Sequence, residues 1–315
     1  MSRNQTLQLG SLDQAKRMLS NYLIRASGKF PESTFYPALT KNTLIKDLID
    51  RVDLLKLVVQ EGSLCGPASF IYALLNTHPD LYVQLVLDLY LKGKTTLGNL
   101  QLEPSSKAAG NVPPGMDAVD WIALTGMKSN YYEKEQQVAG ITMPGTLVNW
   151  FEQTGFKSVV DETNLFSTKG LDALMQAQLA YTGGYSVCLL VHAEAFQNDS
   201  RDGSWLPNHW VVLSSLIQVA KWDEAKKALG PYVFINYQVI AELNKDLAEA
   251  HAKTKEMADR DGQIEKSIEC QHRIRFTVYS WGYDTIPVQG IAQTPGEATV
   301  CYFLRHFFGY VKARW

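Results

Sequence analysis

The sequence predicts an α+β protein in which a helical N-terminal half packs against an antiparallel sheet built by the C-terminal half. Three observations lead there. Apolar residues recur at three- and four-residue steps before residue 160, as in Leu44, Leu48, Val52, Leu55 and Val59. Continuous or alternating β-rich runs then dominate, as in SVCLLVHAEAF (186–196) and HWVVLSSLIQV (209–219). Helices therefore precede strands instead of alternating with them, the order of an α+β chain with a cleft between its two parts. The helical part is read as 1–165 and the β part as 166–315, together forming one unit.

Each element follows from its punctuation. Helices are expected over 11–26 and 41–59, then over 67–76 and 79–92, where Pro79 suits the first turn of the latter. Residues 93–115 are rich in Gly, Pro, Ser and Asn and read as a long loop, suited to a lid or specificity segment. Short helices follow at 116–126 and 144–155, the second bounded by Pro144 and Gly155. A helix over 168–180 leads into the two long β runs, which a polar loop (197–208) joins as antiparallel neighbours. Further strands are expected at YVFINY (232–237) and IRFTVYSWGY (274–283). Between them, 238–271 reads as a helical insertion packed on the sheet, or as an arm for partner docking. The aromatic C-terminus, TPGEATVCYFLRHFFGYVKARW, reads as ordered.

Composition narrows the function classes. The 315 residues are 46% hydrophobic and 20% charged with net charge −2, so bulk electrostatics do not point to nucleic acid or a membrane surface. No run approaches the roughly 18 apolar residues of a membrane helix. The N-terminus MSRNQTLQLGSLDQ lacks the apolar core of a signal peptide, which reads as cytoplasmic as synthesised and is compatible with export by a dedicated machine. The four cysteines, Cys65, Cys188, Cys270 and Cys301, form no CxxC pair, zinc spacing or disulfide framework. Cys188 and Cys301 sit in apolar runs as core residues, and Cys270 closes a charged segment. No metal and no cofactor are expected.

One stretch carries chemistry: Gln60-Glu61-Gly62-Ser63-Leu64-Cys65-Gly66-Pro67-Ala68. Pro67 suits the first helical turn, where its missing N–H has no partner to lose. Cys65 would then stand at a helix N-terminus, where free N–H groups and the macrodipole favour an anion and lower a thiol pKa from about 8.5 toward 7. Gln60, across a Gly-Ser turn, could donate its amide to a developing oxyanion. The nucleophile also needs an imidazole. Of the six histidines, His78, His251, His272 and His306 lie in turns, helices or the aromatic tail. His209 opens a strand after a polar loop and ranks first, and His192, which ends a strand, ranks second.

With these residues in hand, Gln60…Cys65-Gly66-Pro67-Ala68 followed by His209-Trp210-Val211-Val212-Leu213 resembles the papain-like cysteine peptidase superfamily, in its divergent bacterial, effector-type members. The 144 residues from Cys65 to His209 fall in the roughly 130–150 of papain-type enzymes. The resemblance implies a papain-like arrangement, with a nucleophile helix in the helical half facing a histidine on the sheet. It also implies glutamine in the oxyanion hole and an Asn or Asp orienting the histidine. Where papain has Asn-Ser-Trp-Gly, this chain has Tyr279-Ser280-Trp281-Gly282. The orienting group is therefore open among Ser280, Tyr279, Asp284, Asn236 and a backbone carbonyl, and Trp281 would shield the histidine.

The function expected is a thiol hydrolase, a peptidase or amidase acting on a protein or peptide through an acyl-enzyme on Cys65. The same residues would serve an acyltransferase or transglutaminase-type enzyme, and an inactive papain-like binding module is the reading from another class. Two further motifs are set aside. Gly93-Lys94-Thr95 lacks the glycine of a phosphate loop, having Asp88 in its place. Asp199 and Asp202 do not have EF-hand spacing.

Overall fold

The computed structural model describes residues 9–26, 33, 35–36, 39–53, 58–59, 64–104, 112–132, 141–196, 206–223, 225–246, 248, 272–289 and 296–315. The chain is α+β, as its pattern predicts. Its helical part comprises α1 (Leu9–Ala26), α2 (Lys41–Val52), α3 (Cys65–Thr77), α4 (Pro79–Lys92), α5 (Ala118–Tyr132) and α6 (Pro144–Thr154). Punctuation explains several ends. Thr40 caps α2 by accepting from the Thr43 N–H, and Pro79 occupies the first turn of α4. Gly93 and Gly155 end α4 and α6 in the left-handed region, where glycine carries no Cβ penalty.

The stretch read as one long loop from 93 contains a hairpin instead, β1 (Thr95–Leu97) with β2 (Leu100–Leu102). Thr95, Leu97, Leu100 and Leu102 alternate inward and are buried, so this part is core, not lid. Residues 105–111 of that stretch lie outside the described ones. A strand that the sequence reading lacks, β3 (Lys157–Asp161), comes next, followed by α7 (Leu171–Thr182).

The sheet has six strands in the order β12-β11-β5-β4-β14-β3, each pair antiparallel. Its members are β4 (Ser186–Val191), β5 (His209–Leu213), β11 (Thr277–Ser280), β12 (Tyr283–Pro287) and β14 (Phe307–Arg314), besides β3. The two long β runs are therefore neighbours, in the register Val191↔His209 to Cys188↔Val212. A second, four-stranded sheet holds β6 (Gln218–Ala220), β9 (Val233–Phe234), β10 (Arg273–Arg275) and β13 (Ala298–Thr299). The short pair β7 (Trp222–Asp223) and β8 (Ala228–Leu229) stands apart.

Period-two alternation gives the large sheet two buried faces. Cys188, Leu190, Trp210, Val212 and Tyr279 join the helical core, while Val187, Leu189, Val191, Val211, Leu213 and Val278 pack with α7 and α9 (Val300–Arg305). β4 and β5 are buried throughout, which is why they read as nearly continuous apolar runs. The helical insertion is described as a run over 237–246, which we call α8; residues 249–271 lie outside the described ones, and so do Cys270 and His251. No described helix is long and apolar enough to cross a membrane.

A buried ionic network ties the helical part to the segment ahead of Cys65. Arg51, fully buried on α2, donates from Nε to Asp120 Oδ1 at 3.0 Å and from Nη2 to Asp120 Oδ2 at 2.5 Å and Asp117 Oδ2 at 2.8 Å. Asp120 Oδ2 also accepts the Val59 N–H at 2.9 Å. Burial pushes the Asp120 carboxyl up to about 6 against the pull of the Arg51 guanidinium, which leaves it ionised at neutral pH. Removing one partner from such a network strands the other charge in the core. Arg51→Ala is expected to lower the unfolding free energy by about 3–5 kcal/mol in urea denaturation. Arg51→Met with Asp120→Asn, which keeps an acceptor for Val59, is expected to recover most of that loss.

Candidate active site

Cys65 is the first residue of α3, and Pro67 lies inside its first turn. Gly66 is needed for packing: a Cβ there would collide with the Thr142 side chain. The carbonyl of the same Thr142 accepts the Trp210 indole N–H at 2.7 Å. Thr142 therefore holds the start of α3 and the start of β5 together. The thiol is buried against that junction, 2% exposed, and the backbone N–H groups of Trp210, Gly66 and Cys65 itself act on it.

These donors and the helix N-terminus predict a lowered thiol pKa, and the structure corrects that expectation. Burial is the largest influence and pushes the Cys65 thiol up, against the Trp210 N–H, the Lys128 charge and the two N–H groups of the helix start. In this conformation the sulfur is a neutral thiol.

His209 opens β5 and is 5% exposed. Its Nε2 lies 2.7 Å from Ser280 Oγ, and its ring stacks on Trp281 with centroids 4.4 Å apart and planes 7° from parallel. Burial pushes the imidazole down to about 3, so it too is neutral. No hydrogen bond joins it to Cys65: the N–H of the adjacent Trp210 acts on the sulfur, while strand alternation turns the His209 side chain to the face of Val211 and Leu213, opposite Trp210.

Trp281 reaches His209 through an uncommon backbone. Ser280 pairs with Tyr283 across the β11–β12 hairpin, leaving Trp281 and Gly282 as the two turn residues. Both have positive φ, 47° and 85°, as a primed two-residue turn requires. For a tryptophan this conformation is strained, and the flanking strands hold it. Gly282 fits where a Cβ would press on Val59.

The structure sorts the candidates for orienting His209. Ser280 is at the imidazole. Tyr279, at the position where papain-like proteins have asparagine, is not: its hydroxyl donates to the Val58 carbonyl at 2.5 Å and its ring stacks on Tyr72 at 3.9 Å. Asp284 offers its backbone carbonyl to the Ser214 hydroxyl and is no partner of His209. Asn236 is exposed and caps the helical run after it, accepting the Val239 N–H at 3.0 Å, so that candidate is also set aside. Gln60 lies outside the described residues.

Of the other histidines, His192 follows β4 and accepts the Glu194 N–H, its neighbours being Asn208 and His306. His78 packs on Trp315 and faces Asp80, and His272 accepts the Trp222 N–H. A cavity of about 400 Å³ lined by Tyr181, Ser214, Phe234, Arg275 and Thr277 among others touches neither Cys65 nor His209.

The lowered His209 pKa sets a pH dependence. A group whose folded pKa lies below its unfolded 6.5 contributes stability that is complete above 6.5 and lost as pH falls toward the folded value. The parent is therefore expected to lose roughly 3 kcal/mol relative to His209→Asn between pH 7 and pH 4, at about 1.4 kcal/mol per pH unit. Denaturant midpoints of both proteins across that range give the difference. No family model, no curated protein and no solved structure matches this chain.

Proposed function

We propose that the chain is a papain-like thiol hydrolase that cleaves an amide bond in a protein or peptide through an acyl-enzyme on Cys65. The observation that carries this reading is the arrangement at the head of β5. A strand-opening histidine is held at Nε2 by Ser280 and roofed by Trp281, and the next N–H along the strand acts on a cysteine that begins a helix.

The proposed roles are these. With Nε2–H donating to Ser280 Oγ, the other imidazole nitrogen, Nδ1, keeps a lone pair for the thiol proton. Cys65 Sγ then bonds to the substrate carbonyl carbon, and the carbonyl electron pair moves onto oxygen. The Cys65 N–H, together with the Gln60 amide that the sequence reading assigns, stabilises that oxyanion. Collapse expels the amine, which takes its proton from His209, and water repeats the sequence to release the acid. Ser280 is neutral, as an orienting amide is, so it positions the ring without stabilising imidazolium by charge as a carboxylate would.

Burial makes this a resting state. A reacting carbonyl must come within about 3–3.5 Å of the sulfur. Opening the site to substrate also returns solvent to both groups and relieves the burial that keeps them neutral. Transfer of the acyl group to an amine instead of water uses the same residues.

A peptidyl acyloxymethyl ketone, which alkylates activated catalytic thiols, tests the reading. The expected adduct, located by peptide mass mapping, is on Cys65, with labelling at pH 7 falling at least about tenfold in His209→Ala and by less in Ser280→Ala. Labelling of another cysteine, or of Cys65 at a rate indifferent to His209, would contradict it.

A further inference from the structure

Among the described residues, a cluster away from Cys65 and His209 gathers metal-ligating side chains. His192, Glu194 and His306 place one ligand atom each within 4.8 Å of one another. We propose that these three residues bind a divalent transition metal, zinc being the ion their chemistry suits best.

His306 carries the argument. Its Nδ1 lies 2.8 Å from the Tyr302 carbonyl, which can only accept, so Nδ1 bears a proton and Nε2 is the nitrogen turned toward the cluster, the ligand atom in the neutral tautomer. Nε2 lies 3.4 Å from Glu194 Oε2. A histidine whose far nitrogen is fixed by a backbone carbonyl is also how proteins orient an imidazole toward a metal. The separation fits: ligands about 2.0–2.1 Å from a tetrahedral zinc stand roughly 3.4 Å from each other.

His192 completes the set. It is buried, with the Glu194 N–H 3.4 Å from Nδ1 and Asn208 Nδ2 3.4 Å from Nε2. Two imidazoles and a carboxylate suit zinc among the biological divalent ions, and three protein ligands leave a fourth position for water. The ligands converge because three elements end together. His192 follows β4, Glu194 lies on the short 3₁₀ turn after it, and His306 stands between α9 and β14. The His192 N–H donates to the His306 carbonyl at 2.9 Å, closing the junction.

The site abuts the proposed active site without sharing a residue with it. Asn208, next to His209, lies with Nδ2 3.4 Å from His192 Nε2 and accepts the Ala193 N–H at 2.8 Å. A metal there would clamp the rim of the sheet from which His209 projects.

The test is a Co²⁺ titration of the chelator-stripped full chain, followed by absorption, with Zn²⁺ as competitor. The proposal predicts about one Co²⁺ per chain with the visible bands of tetrahedral nitrogen and oxygen ligation, displaced by Zn²⁺. Glu194→Gln and His306→Asn, both at half-exposed positions, are each expected to weaken binding by about 10–100-fold. A thermal-unfolding midpoint that Zn²⁺ raises in the parent alone is the second readout. Failure to bind, affinity unchanged in both variants, or a thiolate charge-transfer band placing the ion on cysteine would overturn the proposal. The outcome does not depend on whether the chain hydrolyses amides.

Discussion

The anchoring of the first turn of α3 against the open end of β5 is the contact on which the rest of the site depends. Thr142 makes it from both sides, filling the space that Gly66 leaves and accepting the Trp210 indole proton. Because Trp210 follows His209 and Gly66 follows Cys65, fixing Thr142 fixes both chemical groups through a single intervening peptide each. The indole N–H is satisfied in a dry environment, so losing this bond would leave a buried donor unpaired. Gly66 and Trp210 each look like packing residues in isolation; together they fix the start of α3 against the start of β5.

A second set of contacts governs the segment ahead of the cysteine. Asp120 takes the Val59 N–H, Tyr279 takes the Val58 carbonyl, and Gly282 lets the β11–β12 turn close over Val59. The buried guanidinium of Arg51 holds Asp120 in place. Tyr279 thus latches the approach to α3 through the Val58 carbonyl, and its neighbour Ser280 lies at the imidazole of His209.

Much of this was legible in the sequence for identifiable reasons. Pro67 and Gly66 marked the start of α3, and the uninterrupted apolar runs after Ser186 and His209 marked strands buried on two faces. What escaped was non-local. The β1–β2 hairpin hid in a Gly- and Asn-rich stretch, although Gly98-Asn99 flanked by alternating leucines carried the turn signal. β14 lies inside the sheet, between β4 and β3, which only pairing partners reveal. His306 joins His192 and Glu194 from more than a hundred residues away, so no spacing rule could gather the three. The thiol pKa was misjudged because the helix start was visible in the sequence and the depth of burial was not.

The central claim is that Cys65 and His209 work as nucleophile and base once solvent or substrate reaches them. The pH dependence of Cys65 alkylation by iodoacetamide, in the parent and in His209→Ala, tests it most directly. The account predicts a parent rate at pH 7 that follows an imidazole-assisted profile, and a variant that reacts only as pH climbs toward and above the ordinary thiol range of about 8.5. Identical profiles in the two proteins, both rising only at alkaline pH, would contradict it and leave the thiol as a core residue.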